Sequence, residues 1–85
     1  MKLIRKGKKT SQYEQYFLQL CTTYIIPQDL GFTPYTITYQ IIDVTPDHVG
    51  FLLTFRHLGD TYRLDCKYLP CKHETTYKLQ VQCGI

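Results

Sequence analysis

Cysteine and histidine are the residue types in this chain that could bind a metal or act as nucleophiles. Their densest cluster is Cys66, Cys71 and His73, which fall within eight residues. Structural zinc normally needs four ligands in one place. The alternation of the surrounding strand turns Cys66 into the core, leaves Cys71 at a loop tip and puts Cys83 at the far end of the sheet. The sequence therefore predicts neither metal nor cofactor, and a thiol- or zinc-dependent protein centred on Cys71 and His73 stays an alternative.

The same cluster is the best candidate for nucleophilic chemistry. Lys72 and His73 could stabilise a Cys71 thiolate. A hairpin tip, however, supplies no pocket walls and no oxyanion donors. The chain also has no Gly-rich phosphate loop, no paired catalytic carboxylates and no G-x-S-x-G turn. We therefore predict a protein that is not an enzyme and has no catalytic residues.

Basic residues are the second candidate set. Five of the ten Lys and Arg residues lie in the first nine positions, without an acid among them, whereas the rest of the chain has five bases and seven acids. The chain thus reads as a basic arm, residues 1–10, on a mildly acidic body. The arm is expected to add little stability and to speed association, or else to form an edge strand through Leu3. Its bases are Lys2, Arg5, Lys6, Lys8 and Lys9.

A second group of bases falls on the predicted wet face of the sheet. A two-residue turn at Gly59-Asp60 would place Arg56 directly opposite Arg63. Lys67 and Lys78 share that face, and Asp65, opposite Lys78, is its one acid. We interpret this positive strip, together with the arm, as a site for an anion or an acidic partner. In the simpler interpretation the strip is a solvated face in which Asp65 neutralises Arg63.

These residues need a helix and strands to position them. Ser11 and Glu14 have the spacing of a capping box, which predicts a helix over residues 11–25 that Pro27 ends. Its apolar stripe would cover a sheet. The stripe comprises Tyr13, Tyr16, Phe17, Leu20, Cys21 and Tyr24.

After Pro34 apolar residues alternate with polar ones, which predicts strands over 35–43, 49–58, 61–69 and 75–83. The proposed turn pairs Leu53 with Cys66, and a four-residue loop after Leu69 pairs Leu64 with Leu79. The first hairpin needs a bulge near Ile41-Ile42, because one extra residue is required to keep the apolar side chains of its two strands on the same face. The predicted fold is α+β: one N-terminal amphipathic helix on one face of a four-stranded antiparallel meander, with a possible fifth edge strand from the N-terminus. Residues 1–85 are expected to form a single domain.

Composition sets the remaining expectations. No apolar run approaches the roughly 20 residues that span a bilayer, and the basic N-terminus lacks the apolar stretch of a signal peptide. A cytoplasmic protein with free thiols and no membrane partner is expected. Small chains with a helix and a meander occur among phage, viral and mobile-element accessory proteins, although no family motif occurs here.

The predicted function is binding to an acidic partner. A protein surface is favoured over nucleic acid, because the tyrosines fall mainly on the core face and cannot stack on bases. A nucleic-acid-binding regulator that uses the basic arm and the sheet face is the alternative. The sequence predicts no oligomeric state.

Overall fold

The chain begins with an edge strand, not with the helix. In the computed structural model, which describes residues 1–84, strand β1 (Lys2–Arg5) pairs in parallel with β2 (Thr36–Val44). A parallel neighbour can be reached only by a crossover, and the helix lies in that crossover. The possible fifth strand is thus confirmed, and it is parallel to its neighbour, whereas the four predicted strands pair antiparallel as expected. The expectation of an N-terminal helix was wrong.

The helix starts three residues later than predicted. It is α-helical over Glu14–Leu20, here α1. The expected capping box does not form: the Ser11 hydroxyl accepts a hydrogen bond from the Tyr13 N–H at 3.2 Å, while the Glu14 side chain bonds to Arg5. An ion pair with β1 therefore takes the carboxylate that the capping box would need.

The helix also continues past the predicted stop. A π-helical segment, Cys21–Leu30, follows α1 directly and contains Pro27. In an α-helix the proline ring would collide with the carbonyl four residues back, whereas π-helical hydrogen bonds run to the fifth residue back. The stop is Gly31, whose φ of 84° is left-handed and whose N–H donates to the Ile26 carbonyl at 3.2 Å.

The remaining strands form the predicted meander. They are β3 (Val49–His57), β4 (Asp60–Leu69) and β5 (Glu74–Gln82), and the sheet order is β1-β2-β3-β4-β5. A bulge between Ile41 and Asp43 shifts the register of the first hairpin, as expected, and keeps the apolar side chains of both strands on the same face. The β4–β5 register, with Leu64 opposite Leu79, is also confirmed.

The β3–β4 register differs from the prediction by two residues. Leu58 and Gly59 form the turn with φ values of 51° and 85°, and His57 pairs with Asp60. Two successive positive φ values are typical of a type I′ turn, which matches the twist of the strands. Leu53 consequently faces Leu64 instead of Cys66. A shift of two residues keeps each side chain on its face, so the predicted core survived the error.

The core lies between the helix and the central strands. Phe17 of α1 stacks on Phe51 with ring centroids 3.9 Å apart. The helix covers β5 incompletely, and the predicted core residue Cys83 is exposed at its end. Tyr16 and Tyr24 of the predicted stripe are likewise exposed. The fully buried side chains include Phe17, Cys21, Ile26, Ile37, Ile41, Val49, Phe51, Leu53, Leu64 and Tyr68.

Over residues 1–84 the structure contains no helix with the length and hydrophobicity needed to span a bilayer.

Candidate functional site

The sheet has an open face, defined here as the side away from the helix. Side chains alternate along each strand and paired residues share a side, so the neighbours of the buried positions Leu53 and Leu64 point to the open face. This face carries more cations than carboxylates, the latter being Asp43, Asp65 and Glu74. Its cations are Lys2, Lys6, Arg56, Arg63, Lys67 and Lys78.

The two arginines are diagonal neighbours, and this corrects the predicted facing pair. Arg56 faces Thr61, and Arg63 faces Thr54. Diagonal positions on adjacent strands are about 7–8 Å apart, which long side chains can bridge. The guanidinium groups are therefore not forced against each other, yet both can reach a ligand that sits above Thr54.

The open face contains little internal charge pairing. Arg63 Nε lies 3.8 Å from Asp65 Oδ2, with the two side chains 55% and 37% exposed. A contact so exposed contributes less than about 1 kcal/mol and is readily replaced. Among residues 1–84, Arg56 and Lys78 form no ion pair within 4.0 Å. Arg56 therefore keeps its donors for a ligand.

Three shallow depressions adjoin Thr54. One, of about 380 Å³, is lined by Tyr35, Thr36, Thr38, Phe55 and Arg56 as well as Thr54. The second, of about 410 Å³, lies toward β5. The third, of about 180 Å³, lies toward Lys6. Hydroxyl, amide and guanidinium groups in these walls supply the donors that carboxylates and phosphates accept. The second depression is lined by Thr54, Thr61, Arg63, Gln80, Val81 and Gln82.

Arg5 belongs to a different environment from the other arm bases. It shares the helix side of the sheet with Tyr39, and its Nη2 donates to Glu14 Oε2 at 3.2 Å. The Tyr39 side chain, followed by the Glu14 carboxylate, raises the pKa of Arg5. Glu14 is buried, and its Oε1 has no hydrogen-bond partner among residues 1–84. Arg5, predicted as a binding residue, therefore ties β1 to the helix.

The other arm bases separate into two groups. Lys2 and Lys6 point to the open face, and the Lys6 N–H extends the β1 ladder by donating to the Tyr39 carbonyl at 2.8 Å. Lys8 and Lys9 are exposed in the connection to α1. Lys9 Nζ donates to the Ile42 carbonyl at 3.2 Å, near the bulge of β2. The structure thus brings only Lys2 and Lys6 onto the face of Arg56 and Arg63.

The thiol cluster is spread out. Cys71 is exposed and Cys66 is buried, both as predicted. His73 Nδ1 lies 3.3 Å from the Tyr68 hydroxyl. Within residues 1–84 no three His, Cys, Asp or Glu side chains converge as metal ligands would.

Sequence reasoning missed two site features. Glu14 was interpreted as a helix cap, although a glutamate in the first turn of a buried helix face could also signal a partner from a basic edge strand. Thr54 was treated only as a neighbour of the arginines, although its position among three depressions makes it central. The alternation that placed Arg56 and Arg63 on one face also placed Thr54 there.

In comparisons with known proteins, no family, no curated protein and no solved structure matches this chain.

Proposed function

We propose that this protein is a non-enzymatic binding protein whose open sheet face docks on an acidic surface of a partner protein. The observation that carries the proposal is the charge imbalance of that face: of its six Lys and Arg side chains, only Arg63 forms an ion pair within residues 1–84. Surface cations without partners attract acidic surfaces and fix their orientation on contact. Arg56 and Arg63, on either side of Thr54, form the centre of the proposed site.

The chemistry of this centre suits a carboxylate. An arginine offers a planar fork of donors that matches two carboxylate oxygens. The Thr54 hydroxyl between the arginines adds a further donor. An aspartate or glutamate of the partner could thus replace Asp65 beside Arg63, and a second acidic residue could pair with Arg56.

A protein partner is favoured over nucleic acid by the absence of rings on this face. The five strands place no aromatic side chain on the open side, and Tyr35, just before β2, is at its rim with 87% exposure. Proteins that bind single strands use aromatic rings on which the bases stack. Nucleic acid could still contact the same cations through its phosphates, so that alternative enters the test. A thiol or zinc function at Cys71 and His73 stays a prediction.

The test measures binding to a fluorescent poly-glutamate peptide by anisotropy at low salt. Arg56→Gln and Arg63→Gln should each weaken binding about 5- to 100-fold, which is typical of losing a charge-assisted hydrogen bond. The melting temperature of the Arg56→Gln variant should stay unchanged, because Arg56 makes no ion pair within the described chain. Lys72→Gln, an exposed change in the β4–β5 loop, is the matched control.

Two outcomes contradict the proposal. Equal affinity of the arginine variants and the Lys72→Gln control would mean that only net charge matters. Tighter binding of a single-stranded oligonucleotide than of the peptide, lost in the same arginine variants, would favour the nucleic-acid alternative.

A further inference from the structure

Strand β5 leaves a long edge of the sheet unpaired. It is the last strand in the sheet order, and it pairs with β4 continuously from Leu69↔Glu74 to Thr61↔Gln82 without a bulge. Edge strands expose backbone groups that can pair with another chain, and proteins usually protect them with prolines, bulges or short length. β5 has nine residues and neither proline nor bulge, whereas β1 at the other edge has four residues.

The register shows which backbone groups of β5 point outward. In a two-residue type I′ hairpin the closing pair, here His57↔Asp60, is hydrogen-bonded. Hydrogen-bonded and non-bonded pairs then alternate, so Thr61, Arg63 and the following odd positions of β4 bond to β5. The backbone N–H and C=O groups of the even-numbered residues of β5 are therefore hydrogen-bonded to β4. The outward N–H and C=O groups belong to Thr75, Tyr77, Leu79 and Val81.

The side chains along this edge are largely exposed, although the Tyr77 hydroxyl donates a hydrogen bond to Asp29 Oδ2. On the helix side Tyr77 and Val81 are 39% and 48% exposed. On the open face Glu74 and Lys78 are exposed, four residues apart, and neither forms an ion pair within residues 1–84. The edge therefore combines apolar surface on one side with one carboxylate and one ammonium on the other.

We propose that β5 pairs with β5 of a second copy of this chain, antiparallel, about a two-fold axis at Thr76. A two-fold interface brings the same patch of both copies together. In this register Glu74 faces Lys78 of the second copy, and the symmetry repeats the contact. The outward backbone groups of Thr75 and Tyr77 then bond across the axis.

Charge selects this register among the neighbouring ones. An axis at Lys78 would set the two Lys78 side chains against each other, and an axis at Thr75 would set Lys78 against Lys72 of the second copy. Like charges directly opposite each other are unfavourable, and opposite charges are favourable. An axis at Tyr77 would place Glu74 opposite Gln80 and match no charges. Only the axis at Thr76 matches both charged residues of β5.

The dimer would extend the open face without covering it. Pairing through β5 joins the two sheets edge to edge, and paired residues keep the same side. Arg56 lies on β3, two strands from the axis, and stays free in both copies. This inference concerns the edge of the sheet and does not depend on the proposed docking of its face.

The first test is sedimentation equilibrium of the full chain over a range of concentrations, with a reducing agent present. We expect a monomer–dimer equilibrium for the wild type. Glu74→Lys and Lys78→Glu alone should each weaken the dimer at least ten-fold, because each sets like charges opposite each other. The double variant with both changes should recover the wild-type dimer. Lys2→Glu, on the open face at the opposite edge, should leave it unchanged.

The second test locates the axis by cross-linking. In a background with Cys71→Ser and Cys83→Ser, Thr76→Cys should form an inter-chain disulfide on treatment with diamide, which accepts the two thiol hydrogens. A non-hydrogen-bonded antiparallel pair brings Cα atoms to about 4.5 Å, within the range of a disulfide. Gln82→Cys in the same background should stay monomeric. Cross-linking at Gln82 instead of Thr76, or a wild type that is monomeric throughout, would overturn the proposal.

Discussion

A thiol that touches a second thiol in a dry core holds its proton more firmly than one in water. Cys21, on the helix, and Cys66, on β4, are both buried. The contact with Cys66, followed by burial, raises the pKa of the Cys21 thiol from its ordinary 9.0. The folded chain therefore keeps a proton that the unfolded chain releases above pH 9. The contribution of the Cys21 thiol to the free energy of unfolding is therefore fully present below pH 9. It declines as the pH rises above 9, because the unfolded state then binds fewer protons than the folded state.

The Cys21 titration gives a prediction on pH dependence. Between pH 9 and 10 the free energy of unfolding of the wild type should fall with a slope approaching about 1.4 kcal/mol per pH unit from this one proton. Cys21→Ala should be less stable because of its cavity, yet it should lose this slope. Urea unfolding at several pH values from 8 to 10 measures both. The exposed thiol variant Cys71→Ala is the control and should keep the slope.

The comparison of the pH slopes of the wild type and the Cys21→Ala variant decides the prediction. Equal slopes for the Cys21→Ala variant and the wild type would mean that the Cys21 thiol ionises in the folded chain as in the unfolded one.

At single positions, the alternation of apolar and polar residues predicted burial well in strands that have a neighbouring strand on each side. Cys66 lies in β4, an interior strand of the sheet, and its burial followed from period two alone. Cys83 obeys the same alternation but is exposed, because it follows the last residue of edge strand β5. Which strand forms the edge and how far the helix reaches are tertiary properties that no local pattern encodes. The prediction therefore failed first at the margin of the sheet.

At the scale of elements, a partly buried ion pair joins β1 to the helix. Arg5 Nη2 and Glu14 Oε2 are 3.2 Å apart, with side-chain exposures of 40% and 9%. A buried carboxylate without its partner is costly. Since β1 itself is exposed along its whole length, this pair is a main tertiary contact of the strand.

The second prediction removes this partner. Arg5→Gln should lower the free energy of unfolding, because it leaves the buried Glu14 carboxylate without its partner, although by less than for a fully buried pair because the Arg5 side chain is partly exposed. In a Glu14→Gln background, where no buried charge remains, the same change should cost much less. Denaturant melts of the four proteins form a double-mutant cycle. Strictly additive costs would mean that the two side chains do not stabilise each other.

Two elements show why sequence patterns set faces more reliably than connections. The type I′ turn uses Leu58 at φ 51°, a conformation that a branched apolar residue rarely adopts, so Gly59-Asp60 was the better local prediction. The four bases Arg56, Arg63, Lys67 and Lys78 nevertheless share the open face as predicted, because the error was an even number of residues. The π-helical passage through Pro27 has no comparable sequence signal.

At the scale of the whole molecule, the fold gathers most of the basic strand residues on the side of the sheet away from the helix. The helix covers one side of the sheet, and the N-terminal strand adds Lys2 and Lys6 to the cations of the other side. The basic arm inferred from the sequence is thus divided: Arg5 stabilises the fold, while Lys2 and Lys6 extend the open face. We therefore now expect the arm to add stability through β1 and Arg5, instead of adding little.

The last prediction separates these two roles of residues 1–9. Deleting them removes β1, exposes the edge of β2 and leaves Glu14 buried without Arg5. We expect the free energy of unfolding to fall by about 2–4 kcal/mol, since the loss includes the ion pair and the parallel ladder.

Changing Lys2, Lys6, Lys8 and Lys9 to Gln keeps the strand and Arg5. The melting temperature of this quadruple variant should therefore stay within a few degrees of the wild type. The same quadruple variant should associate more slowly with the poly-glutamate probe at low salt, and the difference should shrink above about 0.15 M salt, where surface charges are screened. Thermal melts and stopped-flow anisotropy measure the two effects independently. A deletion variant as stable as the wild type would show that β1 contributes nothing to the fold, and a quadruple variant with unchanged association rates would show that the arm lysines do not steer binding.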